Sequence, residues 1–413
     1  MRRDRASCRQ SSHGDYAAWL CADTSWQFGS AVGTFALMMV ALDITGSAAR
    51  AGLVSTIAGV AATVLSIPGG MAVDRVDRRE AIIISGGLRA VLYTGVAVLC
   101  VTGRLGFGAL AVSGTLAGII TGVFGTASDA ALPSIVSTER LPGAVAVNRG
   151  RDGVVNIVGQ PVSGLLLVLG SWVPFAVSAL GAVGQAIGIS RVKVDLHPLA
   201  GERIDGASPP QAMPVAWRHL IKVLYRSECL ALLGSAVFLN VQVVLLVYGM
   251  QLSLRIEGAS TAAVGLINTV MAAGVLVGAL PASRIIRRIR AGRIVVVGSL
   301  LCALAVVPVL VSSGRGTAVV TMALIGLPAA TLNGCIFGYL QHVVPTAGQG
   351  RVLALVNLVI AIISAVVPVI AGTLIEVGGL SACVIVALLL GVLATLVAAG
   401  VAPVRQLARV AEW

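Results

Sequence analysis

Apolar residues fall along this chain in long blocks, and the polar residues between them are few. The blocks cover approximately 17–42, 50–72, 81–102, 106–130, 151–170, 172–192, 228–251, 261–283, 293–313, 317–343, 352–375 and 380–403. Each is close to the ~20 residues that a helix needs to cross a hydrocarbon core of about 30 Å. A transmembrane barrel would show segments of about 10 residues alternating apolar and polar positions, and these blocks are too long and too uniformly apolar for that. The pattern therefore predicts an all-α membrane protein of twelve transmembrane helices, several joined by turns short enough to make antiparallel hairpins. Only the turn near Gly170 separates the fifth block from the sixth.

Composition removes the soluble alternatives. Charged residues are 11% and hydrophobic residues 57% of the chain, whereas a soluble domain carries roughly 25% charged residues. The net charge of +12 is topological. With the N-terminus inside, nearly every Lys and Arg falls in an inner segment, and Arg50, Arg104, Arg255 and Arg315 are left outside. That asymmetry puts both termini in the cytoplasm and predicts a multi-pass protein of a bacterial inner membrane. The basic residues are spread over separate loops, which argues against nucleic acid as a partner. The first fifteen residues are polar and basic, and the apolar block behind them is full length, so it is expected to stay as the first helix. Seven dispersed cysteines include no C-x-x-C pair, and His13, His197, His219 and His342 have no ligand spacing, so neither a disulfide framework nor a metal is expected. No phosphate-binding loop ending in Lys-Ser/Thr is present. No cofactor and no enzymatic chemistry are expected, and the chain is expected to be a monomer.

Six blocks precede and six follow the polar stretch 193–227, which contains "HPLAGERIDGASPPQAMP". This predicts a cytoplasmic tail (1–16), a six-helix bundle (17–192), a cytoplasmic linker (193–227), a second six-helix bundle (228–403) and a short tail (404–413). "VAWRHLIKVLYRS" in the linker suits an amphipathic helix on the inner surface. The halves read as parallel repeats, with a substrate site between them near the bilayer midplane. "GGMAVDRVDRREAIIISGGL" after the second block has a weak echo in "GALPASRIIRRIRAGRIVVVGSL" after the eighth, with the carboxylates gone.

The first copy of that echo carries a resemblance. Gly70, Asp74, Arg75, Arg78 and Arg79 resemble the Gly-x-x-x-Asp-Arg-x-Gly-Arg-Arg/Lys signature of the major facilitator superfamily. Asp77 stands where the general pattern has glycine, a form similar to the macrolide-efflux and enterobactin-exporter branch. "LDITGSAARAGLVSTIAGVAATVLSIPGG" and the pattern "LPSIV…VNRGRDGVVNIVGQPVSG" extend the likeness over nearly the whole chain. The resemblance implies two pseudo-symmetric six-helix bundles and a clamp that latches the outward-facing state, with Asp74 near the start of the eleventh helix and Asp129 in a cytoplasmic charge relay with Arg78 or Arg89. The physics is compatible, since glycine permits close backbone approach and arginines pair directionally with carboxylates. Read without the family, the same arginines are ordinary positive-inside anchors.

Polar groups inside the blocks are expensive in lipid and face a cavity or a partner. Asp23 lies about 9 Å into the first helix. It is either a proton-coupling carboxyl or half of a permanent ion pair. Arg89, eight residues into the third block, is either a structural pair or part of the coupling machinery. Gln27, Asn156, Gln160, Asn240, Gln242, Asn268, Asn333 and Asn357 are candidates to line a cavity whose palette suits an amphipathic molecule better than a sugar. Pro161 and Gly164 mark a possible helix bend, in "VGQPVSG", which partly resembles the Gly-Pro-x-x-Gly-Gly pattern of proton-linked drug antiporters. The fourth-helix arginine of many such antiporters is absent. The expectation is a secondary exporter of amphipathic drugs or metabolites, coupled to protons. An importer or lipid transporter of the same fold and a transport-dead sensor are the competing readings.

Overall fold

A computed structural model describes residues 13–73, 75–137, 139–194, 196, 226–312, 314–344 and 346–409. Its described elements are all helices: α1 (His13–Thr45), α2 (Ala48–Val73), α3 (Arg78–Val101), α4 (Phe107–Phe124), α5 (Ala127–Ile135), α6 (Leu141–Leu169), α7 (Val173–Ser190), α8 (Ser227–Ile256), α9 (Thr261–Arg288), α10 (Ala291–Leu304), α11 (Val307–Val311), α12 (Arg315–Gly326), α13 (Ala329–Val343), α14 (Thr346–Gly400) and α15 (Ala402–Arg405). Helix is what lipid demands, because a spanning segment must satisfy its own backbone polar groups.

Eleven described helical segments are long and apolar enough to cross a membrane. The last of them runs over 49 residues, Val352–Gly400, and breaks at Gly379, where φ is 64° and ψ is −164°. Glycine takes this left-handed backbone without a Cβ penalty, so α14 reverses there and makes two crossings, which gives the expected twelve. Three spans are each built from two helices, α4 with α5, α10 with α11, and α12 with α13. The fifth and sixth spans, α6 and α7, separate cleanly at 170–172.

α6 starts at Leu141, ten residues before the apolar block that predicts it. Hydropathy starts the block late because Asn148 and Arg149 stand in the first turns of α6, and these are carried with Arg151 and Asp152 on one continuous helix. Most of the 193–227 linker, including the stretch expected to lie on the membrane surface, falls outside the described residues.

The chain divides into two compact units, 1–36 with 64–203 and 37–63 with 204–413. The first has a core around Trp19, Ile82, Ile135 and Ile189, and the second a core around Cys229, Leu232, Val295 and Leu340. Six of the cysteines are free thiols. Within the second unit, the 37–63 segment lies directly on α14. A Cβ on Gly52 would stand 2.1 Å from the Pro368 carbonyl oxygen, and one on Gly372 would stand 2.2 Å from that of Ala48. Small residues let the two backbones touch, as membrane helices require in the absence of a hydrophobic drive between them. The Val369 N–H, next to Pro368, donates to Thr56 Oγ1 at 3.0 Å.

Candidate functional site

The first unit holds a buried group of ionisable side chains. Asp23 on α1 is 3% exposed and Arg89 on α3 is 2% exposed. Asp23 accepts a 2.5 Å hydrogen bond from Ser128 Oγ of α5, and its other oxygen is held by Arg151 Nη2 of α6 in an ion pair. The same Nη2 reaches Asp152 Oδ1 at 2.8 Å, so one guanidinium nitrogen bridges two carboxylates. Asp129, on α5 beside Ser128, accepts from the Asn148 amide at 3.3 Å.

Arg89 is placed differently from its sequence expectation. Asp129 pairs with neither Arg78 nor Arg89. The Arg89 guanidinium carbon lies 3.6 Å above the Trp26 ring centroid, and among the described residues its Nε and Nη2 have no hydrogen-bond partner. A flat, weakly hydrated guanidinium stacks on an indole face at little desolvation cost. Trp26 is one turn beyond Asp23 on α1, so one helix face presents the carboxylate to Arg151 and the indole to Arg89.

Asp23, Gln27, Arg89, Ser128, Asp129 and Gln185 line a cavity of about 30 Å³, room for one or two waters. Gln185 Oε1 also lacks a protein partner, so the cavity is walled by donors and acceptors that water can join. Arg89, Asp23 and Asp129 line the cavity, and Arg151 and Asp152 join it through Asp23.

The turn before α3 makes its own ties within the first unit. Asp77 caps α3 by accepting from the Arg79 N–H at 2.8 Å, Arg78 Nη1 donates to Ser134 Oγ of α5 at 3.4 Å, and Arg79 Nη2 donates to the Val194 carbonyl at 2.7 Å. Arg75 is exposed. A Cβ on Gly70 would meet only Thr126 Oγ1, at 3.8 Å. Asp74, the centre of the expected clamp, lies outside the described residues.

The uncharged polar residues split by unit. In the second, Asn240 and Asn333 line a cavity of about 220 Å³ with Leu239, Met271 and Phe337, and Asn240 Oδ1 accepts from Ser364 at 2.6 Å. Gln242 is buried and donates to the Cys302 carbonyl at 3.0 Å, a helix-to-helix tie. Asn268 is half-buried and Asn357 exposed. In the first unit Gln27 reaches the charged pocket, Gln160 is half-buried, and exposed Asn156 donates to the Asp152 carbonyl on its own helix at 2.8 Å. Pro161 and Gly164 sit inside a continuous α6.

Sequence reasoning missed three partners. Arg151 reads as an inner-loop anchor until α6 is seen to begin at Leu141. Asp43 forms a forked pair with Arg255, Nε to Oδ1 at 2.8 Å and Nη2 to Oδ2 at 2.9 Å. Glu376 accepts from Ser47 Oγ at 2.5 Å and from the Ala49 N–H at 3.1 Å, satisfying donors at the start of α2. These last two contacts lie within the second unit.

The profile of the Major Facilitator Superfamily matches residues 20–359 and 230–412. An enterobactin exporter, EntS, of Salmonella paratyphi A is 25% identical over 316 residues, 75% of this chain and 73% of that protein. Among solved structures, a bacterial homologue of the iron transporter ferroportin superposes with a TM-score of 0.70 at 19% identity, covering 94% of this chain and 98% of that one. A bacterial homologue of the human lysosomal transporter Spinster gives 0.69 at 14% identity, covering 96% and 97%. At these identities the two structures speak for the fold alone.

Proposed function

The chain belongs to the Major Facilitator Superfamily, and on that premise we propose that it is a secondary active exporter of amphipathic small molecules, driven by proton antiport and working by rocker-switch alternating access. One observation carries the reading: Arg151 bridges Asp23 and Asp152 at the edge of a polar cavity that Asp129 also lines. Protonation of Asp23 cancels its attraction for Arg151 and leaves Asp152 as the stronger partner. The guanidinium then shifts along α6, and α1 loses its charged tie to α6, while Ser163 Oγ still donates to the Val32 carbonyl. Deprotonation restores the tie. Ser128 donates to Asp23, and Arg89, stacked on Trp26, places a second positive charge beside the same cavity. The arginines of the α2–α3 turn, reaching Ser134 and Val194, hold the end of α3 through this exchange, in keeping with a clamp.

The direction of transport rests on the likeness to an enterobactin exporter and to the efflux branch of the signature. The substrate class rests on the second-unit cavity, where two asparagines and Phe337 stand among aliphatic side chains, a lining suited to an apolar body with a few polar groups.

The test is transport in proteoliposomes under an imposed pH gradient, with a fluorescent lipophilic cation and a labelled macrolide as probes. Gradient-dependent movement that a protonophore collapses, and that Asp23→Asn abolishes while probe binding persists, is the expected result. Movement indifferent to the gradient, or a wild-type rate in Asp23→Asn, would overturn proton antiport. Accumulation in the opposite direction would overturn export.

A further inference from the structure

A second cavity in the second unit is unrelated to the charged site. It is a groove of about 650 Å³ on the outside of α9, α10, α12 and α13. Its deep wall is where helices break: α10 gives way to α11 around Ala305, and α12 to α13 around Leu327 and Pro328. The side walls approach closely because Gly278 lets α9 touch the chain at Leu327, where a Cβ would stand 1.9 Å from the carbonyl oxygen. The lining is aliphatic, and Leu301, Leu304, Val297 and Val277 are all about half exposed.

One end of the groove is charged. Arg293 closes it where α10 begins, and Arg284, Arg287, Arg288 and Arg290 stand on the adjoining end of α9 and the turn after it, all exposed. Among the described residues none of the five side chains has a hydrogen-bond or ion-pair partner. The sequence explains why: no Asp or Glu occurs between Glu257 and Glu376. The described carboxylate at this end of the unit is Glu228, which accepts from Ser227 at 3.2 Å.

The dimensions fit one leaflet. From Arg293 to Ala305 α10 advances twelve residues, about 18 Å at the helical rise, and half of a hydrocarbon core of about 30 Å is about 15 Å. The positive-inside asymmetry assigns the arginine end to the cytoplasmic side, where anionic headgroups attract basic residues. We propose that this groove is a binding site for one anionic glycerophospholipid of the inner leaflet, with an acyl chain along α10 and the phosphate on Arg293. The charge complementarity selects an anionic lipid over a zwitterionic one, and the helix breaks give its chain a fixed seat instead of a sliding annular position.

Native mass spectrometry of the full chain in mild detergent, titrated with phosphatidylglycerol and with phosphatidylcholine of identical chains, tests this. The expected result is one phosphatidylglycerol adduct that saturates first and outlasts any phosphatidylcholine adduct. Arg293→Gln should lower phosphatidylglycerol affinity about fivefold, the effect of removing one surface arginine, and leave phosphatidylcholine unchanged. Leu301→Trp, which fills the groove from an exposed position, should weaken both lipids. Arg315→Gln, at the other membrane face, should change neither. Equal retention of the two lipids by the wild type overturns the proposal, as does undiminished phosphatidylglycerol affinity in Arg293→Gln or Leu301→Trp. A lipid-free dimer that Leu301→Trp dissolves would show that a second copy occupies the groove, and would overturn it too.

Discussion

Asp23 and Arg89 were visible as charges stranded in apolar runs, yet neither partner was. A lone carboxylate announces that something must neutralise it, because burying it unpaired costs several kcal/mol, but the one-dimensional chain does not say what. Arg151 was masked by its charged neighbours, and Trp26 looked like one more apolar residue. The ion pair is nearly buried on both sides, 10% and 4% exposed, so removing one half should hurt more than removing both. Arg151→Gln is expected to destabilise the first unit by about 3 kcal/mol, and Asp23→Asn combined with Arg151→Gln to recover most of that, read as melting temperature in detergent. A double variant as unstable as the single one would mean that Arg151 packs and does not pair. Trp26→Leu leaves Arg89 buried with no ring beneath it. A loss of about 2 kcal/mol is expected in the same measurement, with Trp26→Phe intermediate.

At the level of elements, block boundaries were read well where a loop is merely polar and poorly where a helix carries charge inward. α6 is the instructive case: its first ten residues contain Asn148 and Arg149, and hydropathy assigns such a stretch to water. The close contact of α2 with α14 was equally hidden, because glycine in a membrane segment signals close approach without naming the neighbour. Gly52 and Gly59 give opposite forecasts. A Cβ at Gly52 meets the Pro368 carbonyl at 2.1 Å, and one at Gly59 meets only the Ala365 Cβ at 3.4 Å. Gly52→Ala should therefore abolish the monodisperse peak in size-exclusion chromatography, and Gly59→Ala should keep it. Equal behaviour of the two would show that the α2–α14 contact is loose.

For the whole molecule, the sequence halves and the compact units do not coincide, since residues 37–63 from the first half pack in the second unit. The forked Asp43–Arg255 pair and the Glu376 contacts hold that segment there. If alternating access moves the two sequence halves rather than the two compact units, the segment leaves α14 once per cycle. Cysteines at Gly59 and Ala365, in a background without the native thiols, place their Cβ atoms near the 3.5–4.5 Å of a disulfide. Oxidation of this double variant should stop transport, and reduction should restore it. Full activity in the cross-linked state would show that α2 and α14 stay together throughout the cycle.

The sequence by itself determined the environment, the number of crossings and the family. Those follow from transfer free energies and from a signature that is local in the chain, so they can be summed or matched residue by residue. Only the tertiary structure decided that Asp23 meets Arg151, that Arg89 meets an indole, that Asp43 meets Arg255 and that an arginine-tipped groove opens beside α10. In spans built almost entirely from Val, Leu, Ile, Ala and Gly, many helix pairings satisfy the bilayer equally well. The choice among them is made by close contact of backbones and by a few long-range polar pairs, which have no expression in the order of the residues.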